Sequence, residues 1–259
     1  MNKTALITGA SSGIGKEFAY IHAEKGGNLI IVARSEDTLN ELKQELEDKY
    51  KIQVFVISKD LTVSAAPQEI YEEVKMAGLT VDYLINNAGF GSLGLFHKQQ
   101  LAQHIGMIHL NIAALTELTY HFLQDFIKSN GGKVLNVSST ASLMPGPLQA
   151  VYFATKAYVT SFSNAIAEEL KETNVTVTNL MPGATATQFG EVSGMDKTPM
   201  FKNTASARSV AEDGYNGMIA GKLDVTSGLT FAQKAMISMI PLTPKKILLQ
   251  QIKKMQEIK

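Results

Sequence analysis

Apolar residues fall along the chain in two rhythms. Six short runs, "TALIT", "NLIIVA", "QVFVI", "VDYLI", "KVLNV" and "VTVTNL", are apolar at nearly every position. That is the pattern of strands covered on both faces, as in a parallel sheet. Between them apolar residues recur at helical spacing. In "SEDTLNELKQELEDKY", Leu39, Leu42 and Leu46 make one stripe, and Ser35 stands where an N-cap belongs. In "SAAPQEIYEEVKMAG", Pro67 falls early, where a missing N–H is best tolerated. The alternation predicts an α/β fold with a doubly wound, mostly parallel sheet and right-handed crossovers. Ligands of such folds bind beyond the carboxyl ends of the strands. No repeat, low-complexity tract or linker-like shift divides the sequence, and 259 residues suit a single domain.

Two stretches break the rhythm. From about 184 to 207, "ATATQFGEVSGMDKTPMFKNTASA" has no sustained period and exceeds ordinary connection lengths, which predicts a substrate lid. From about 229 to 259 the chain reads as a helical tail. Its last part, "PKKILLQQIKKMQEIK", mixes basic and apolar positions and is expected to be a solvated helix, although the same pattern suits a membrane surface or a partner. The apolar run before it, "GLTFAQKAMISMIPL", contains Gln233 and Lys234 and falls short of the about 20 apolar residues a membrane span needs. No transmembrane segment is expected.

Composition mainly removes function classes. The 24 basic residues balance 24 acidic ones, which argues against nucleic acid as a partner. Without cysteine there is no disulfide, thiolate or Cys-zinc chemistry, in keeping with a cytoplasmic location. The N-terminal apolar run ends at Gly9, too soon for a secretory signal, so the sequons at Asn136 and Asn174 are read as chance. His97, His104, His109 and His121 lie in one helical region without the spacing of a metal site, and are expected on helix surfaces.

Chemistry concentrates at the strand ends. The first strand runs into "TGASSGIG", Thr8 to Gly15, immediately before an amphipathic helix. Glycines there let the backbone turn tightly and approach a pyrophosphate, whose charge a helix N-terminus favours. In "VYFATKAYV", Tyr152 and Lys156 are four apart and share a helical face, which a surface helix would also allow.

Taken together these motifs resemble the short-chain dehydrogenase/reductase family. Its T-G-x-x-x-G-x-G motif is matched by Thr8, Gly9, Gly13 and Gly15. "NNAG" at Asn86 to Gly89, an in-helix asparagine at Asn111, "NVSS" ending the fifth strand, Y-x-x-x-K and "PG" follow in the family's order, covering residues 4 to 187. The resemblance implies a Rossmann-type fold and hydride transfer between a nicotinamide cofactor and a small-molecule carbonyl or alcohol. It implies Tyr152 as general acid/base, Lys156 as its activator and a cofactor ligand, Ser139 as the carbonyl binder and Asn111 as the anchor of a relay water. Ser138 competes with Ser139, but the family's serine-to-tyrosine interval of thirteen selects Ser139. Asn111 can equally satisfy a helix distortion.

The cofactor contacts implied are Gly9, Ser11, Ser12, Gly13, Ile14 and Gly15 of the glycine loop, Asp60 and Leu61 at the adenine, and Asn87, Ala88 and Gly89. Tyr152 and Lys156 join them, with Pro182, Gly183, Thr185 and Thr187 at the carboxamide. NADP is expected over NAD. Relatives selective for NAD place an acid where the second strand ends; this chain has Ala33, followed by Arg34, whose planar fork suits a phosphate. A homodimer is expected through the helices around Asn111 and after Tyr152, with Leu118, Phe122 and Phe126 offered for the contact. Met195, Met200 and Phe201 suggest an apolar substrate pocket, though such residues also simply pack. A non-catalytic sensor of the same fold and a sugar-nucleotide epimerase are the rival readings.

Overall fold

All six apolar runs are strands, with ends shifted by no more than two residues: β1 (Thr4–Thr8), β2 (Asn28–Ala33), β3 (Val54–Ser58), β4 (Tyr83–Asn86), β5 (Gly132–Val137) and β6 (Val175–Pro182). The computed structural model describes residues 3–258. β7 (Thr185–Ala186) and β8 (Ala205–Ser206) pair with each other, and β9 (Asp224–Ser227) is a strand that the apolar pattern does not reveal, being short and polar at three of its four positions. The main sheet has seven strands in the order β3-β2-β1-β4-β5-β6-β9, and every neighbouring pair is parallel. This is the expected Rossmann-type sheet. Chain order reverses between β1 and β4, which opens a crevice at their carboxyl ends.

The helices are α1 (Gly13–Glu24), α2 (Glu36–Tyr50), α3 (Ala66–Met76), α4 (Leu101–Ile108), α5 (Leu115–Lys128), α6 (Ala150–Glu169), α7 (Gln188–Ser193), α8 (Ala207–Ile219), α9 (Phe231–Ser238) and α10 (Lys245–Gln256). Alternate residues of each strand point to opposite faces, so two cores form. Ala5 and Ile7 of β1 join Phe18, Leu39, Leu42, Leu46, Val210 and Met218 beneath α1, α2 and α8. Leu6 points the other way and joins Ile70, Val74, Leu118, Phe122 and Phe126 beneath α3 and α5.

Several expectations change here. Leu118, Phe122 and Phe126 of α5 are fully buried against the sheet and cannot meet a second subunit, whereas Tyr120 and Ile127 of α5 and Ile105 and Ile108 of α4 are exposed. His104 is not a surface residue: it is buried, stacked on Phe96 with ring centroids 4.8 Å apart. Ser35 occupies the N-cap of α2, yet its hydroxyl pairs with the Thr38 hydroxyl at 2.8 Å and makes no capping bond. The span 184 to 207 is built from β7, α7, two single 3₁₀ turns and β8 rather than irregular loop. α10 is not simply solvated, because Leu248, Ile252 and Gln256, at i, i+4 and i+8, are buried.

Candidate active site

The loop after β1 is shaped by close approach. Gly9 and Gly13 have φ of +68° and +55°, and a Cβ on Gly15 would lie 2.2 Å from the Gly9 carbonyl oxygen, so glycine alone fits there. Ser12 is the N-cap of α1, but its side chain makes no capping bond and the first turn holds no acid. Ser11 and Ile14 lie in the same turn, half-buried. The orphan N–H groups of α1 are left for an outside anion, a cradle that fits a diphosphate.

The β4 end is tied to this loop. Thr8 Oγ1 accepts from the Asn87 and Ala88 N–H groups, both at 3.0 Å, and Asn87 Nδ2 donates to the Thr8 carbonyl at 2.9 Å. Gly89 follows, where a Cβ would lie 3.1 Å from Asn111 Oδ1 and 3.4 Å from Lys156 Nζ. One glycine thus brings the crevice, Asn111 and Lys156 together. Thr187 closes the far side: a Cβ on Gly13 would meet Thr187 Cγ2 at 3.0 Å. Thr185 Oγ1 donates to the Gly183 carbonyl at 3.0 Å, and Thr140 Oγ1 to the Pro182 carbonyl at 3.2 Å.

Just after β3, Asp60 Oδ1 accepts from the Thr62 N–H at 2.9 Å and from the Thr62 hydroxyl at 2.8 Å. These bonds hold the Asp60 carboxyl below its ordinary range, with a smaller push from the Arg34 charge. Leu61 is buried, and Arg34 is exposed at the end of β2.

Asn111 sits in a π-helical turn, His109–Ala114, between α4 and α5. Its amide is fully engaged. Oδ1 accepts from the Phe90 N–H at 3.2 Å, and Nδ2 donates to the Phe90 carbonyl and to Thr155 Oγ1, both at 3.0 Å. Such wide turns occur often at functional sites.

Tyr152 and Lys156 are both buried on α6. Burial pushes the Tyr152 phenol up to about 12, and a hydrogen bond with Ser139 opposes that rise. Burial also pushes the Lys156 ammonium down to about 8. Its Nζ donates to the Val137 carbonyl at 2.8 Å and lies 5.9 Å from the centre of the Tyr152 ring. Ser138 points elsewhere, its hydroxyl donating to the Lys156 carbonyl at 2.8 Å, while Ser139 reaches Tyr152.

A polar row behind the site was invisible in the sequence. Asn86, Asn136, Asn179 and Asp224 are register partners across β4, β5, β6 and β9. Asn86 donates to Asn136 at 2.9 Å, and Asn136 donates to Ser163 of α6 at 2.9 Å. Asn136, read as a chance sequon, helps fasten the helix that carries Tyr152 and Lys156. Phe189 and Gly91 were likewise missed: the Phe189 ring lies 5.3 Å from that of Tyr152, and a Cβ on Gly91 would touch both rings. Met107, Phe153, Leu248 and Ile252 complete the apolar cluster around Tyr152. Met195 is buried and Phe201 stacks on Phe189, while Met200 is half-buried.

The family model described as short chain dehydrogenase matches residues 3–197. The chain belongs to the short-chain dehydrogenase family. Human very-long-chain 3-oxoacyl-CoA reductase is 30% identical over 200 residues, which make up 74% of this chain and 62% of that protein. Human 17-beta-hydroxysteroid dehydrogenase type 3 is 35% identical over 191 residues, 72% of this chain and 60% of that protein. The chain thus spans about three fifths of the length of these curated relatives. Among solved structures, a short-chain dehydrogenase from Sphingobium yanoikuyae in complex with NADPH matches with a TM-score of 0.82 at 29% identity, over 90% of this chain and 91% of that one. Membership of this oxidoreductase family fits a crevice built from a glycine loop, a Tyr-Lys helix and a serine.

Proposed function

We propose that this protein is an NADP(H)-dependent oxidoreductase that interconverts a carbonyl and a secondary alcohol on an apolar substrate, with Tyr152 as general acid/base. The observation that carries this reading is the buried Tyr152 phenol, with Ser139 beside it and Lys156 on the same helical face. When bound, the nicotinamide dinucleotide supplies or takes the hydride. In the reductive direction Ser139 and Tyr152 together hold the carbonyl oxygen. A phenol is protonated at neutral pH, and burial reinforces this, so Tyr152 has a proton to give as the oxygen gains charge. Lys156, with its pKa near 8, is largely an ammonium at pH 7 and stabilises negative charge developing on the phenol. Asn111 is a positioning residue, holding the β4 loop through Phe90 and α6 through Thr155.

Gly9, Ser11, Ser12, Gly13, Ile14 and Gly15 would hold the diphosphate, and Asp60 and Leu61 the adenine. Asn87, Ala88, Gly89, Lys156, Pro182, Gly183, Thr185 and Thr187 would surround the ribose and nicotinamide. Arg34 would take a 2′-phosphate, and the structural relative in complex with NADPH supports that preference. The apolar cluster of Met107, Phe153, Phe189 and Leu248 supports an apolar substrate, as do relatives named for very-long-chain 3-oxoacyl-CoA and 17-beta-hydroxysteroid chemistry. The stretch 184 to 207 acts as the lid, since Phe189 and Thr187 close on Tyr152 and the glycine loop. The enzyme works in the cytoplasm as a homodimer, Ile105, Ile108, Tyr120 and Ile127 being outward-facing apolar residues for the contact. A panel of ketones and secondary alcohols assayed by cofactor absorbance with NADPH and with NADH tests the reading. Turnover of apolar ketones with NADPH is expected, and no turnover of any member with either cofactor would overturn it.

A further inference from the structure

The segment 229 to 256 has two unlike sides. Its inner side packs on the site: Ile240, Leu248, Ile252 and Met255 belong to the cluster that holds Tyr152. Its outer side has no cover. α9 buries none of its residues, and Phe231 is 88% exposed, Leu242 75% and Met239 55%. Phe231, Ala235 and Met239, at i, i+4 and i+8, share this outward face with Lys234 beside them.

Charge on the same stretch has one sign. Between Asp224 and Glu257 the sequence contains no acidic residue, but it holds Lys234, Lys245, Lys246, Lys253 and Lys254. Lys253 pairs with Glu257 at 3.8 Å, while among the described residues Lys234, Lys245 and Lys246 form no ion pair. Lys245 and Lys246 also occupy the first turn of α10, which has no acid and no side-chain cap. Cations there oppose the helix dipole, so an external anion would relieve both the charge cluster and the helix end.

We propose that α9 and the start of α10 form an interfacial docking element that seats the protein on an anionic lipid bilayer. Phe231, Met239 and Leu242 enter the boundary between headgroups and acyl chains, and Lys234, Lys245 and Lys246 meet lipid phosphates. Among the described residues no helix is long and apolar enough to cross a membrane, so the element lies on the bilayer.

Flotation with phosphatidylcholine vesicles, with and without phosphatidylglycerol, tests this independently of any enzymatic reading. The protein should float with the phosphatidylglycerol vesicles, less so as salt rises. Lys245→Ala/Lys246→Ala should weaken partitioning by more than about tenfold, and Phe231→Ser/Leu242→Ser should abolish it. These positions are exposed, so both variants should keep the parent's thermal midpoint and its turnover of a water-soluble ketone. No flotation at low salt, equal flotation with phosphatidylcholine alone, or flotation unchanged in the variants would overturn the proposal. Light scattering in which Phe231→Ser reduces a dimer to a monomer would also overturn it, identifying a second copy as the occupant.

Discussion

Asn111 and Phe90 are joined by two hydrogen bonds, Phe90 N–H to Asn111 Oδ1 at 3.2 Å and Asn111 Nδ2 to the Phe90 carbonyl at 3.0 Å. A side chain thus replaces a backbone partner for the loop beside Gly89, and the same Nδ2 reaches Thr155 one residue before Lys156. Asn111→Leu leaves the loop's N–H and carbonyl unpaired in a part-buried place. Unfolding free energy should fall by about 2 kcal/mol or more, read by urea titration, with kcat falling too. Unchanged stability and kcat would remove Asn111 from the architecture of the site.

On the proposed mechanism, Lys156 should set the alkaline limit of reduction. The phenol at about 12 keeps its proton across the working range, whereas the ammonium at about 8 loses its charge within it. Reductive kcat should therefore fall as pH rises through about 8. Lys156→Met should give a slower enzyme with a raised cofactor KM and no limb at that pH. A limb of unchanged midpoint in this variant would assign it to another group.

How far the sequence reaches depends on the range of the interaction. β1 and β2 are legible because "TALIT" and "NLIIVA" are apolar on both faces, and the glycine loop because its spacing is local. β9 is missed because "DVTS" is held by its neighbour β6 rather than by its own propensity. Leu118, Phe122 and Phe126 were misjudged because an apolar stripe does not say whether sheet or subunit covers it. The roles of Phe189, Thr155 and the asparagine row depend on contacts far apart in the chain, which leave no periodic trace. The raised phenol of Tyr152 follows from burial, which spacing alone does not measure.

Arg34 should decide cofactor choice. It is the exposed cation at the end of β2, with Ala33 before it in place of an acid. Arg34→Ala should raise KM for NADPH by about tenfold to a hundredfold, equivalent to about 1.5 to 3 kcal/mol for a charge-assisted bond, and leave KM for NADH nearly unchanged. Steady-state kinetics with both cofactors checks this; parallel changes in the two KM values would contradict it.

His22 should make stability depend on acid pH. Its ring nitrogens engage the Tyr215 hydroxyl at 2.8 Å and the Lys3 carbonyl at 2.9 Å, and burial lowers its pKa below the ordinary 6.5. The unfolded ring takes a proton near 6.5 while the folded ring resists. This contribution is therefore full above that pH and lost as pH falls below it, at up to about 1.4 kcal/mol per pH unit. Urea midpoints measured downward from neutral pH should decline less steeply in His22→Gln. An identical slope in the variant would place the acid sensitivity elsewhere.

On the proposed mechanism, the Tyr152 hydroxyl gives and takes the proton. Tyr152→Phe removes that oxygen and little else, leaving the ring against Phe189 and Phe153 and the glycine cradle untouched. Steady-state reduction of an apolar ketone by NADPH, measured beside NADPH affinity, is the direct test. In Tyr152→Phe, kcat should be lower by about 10²- to 10⁴-fold, with cofactor affinity nearly intact. A kcat close to that of the unmutated protein would contradict it.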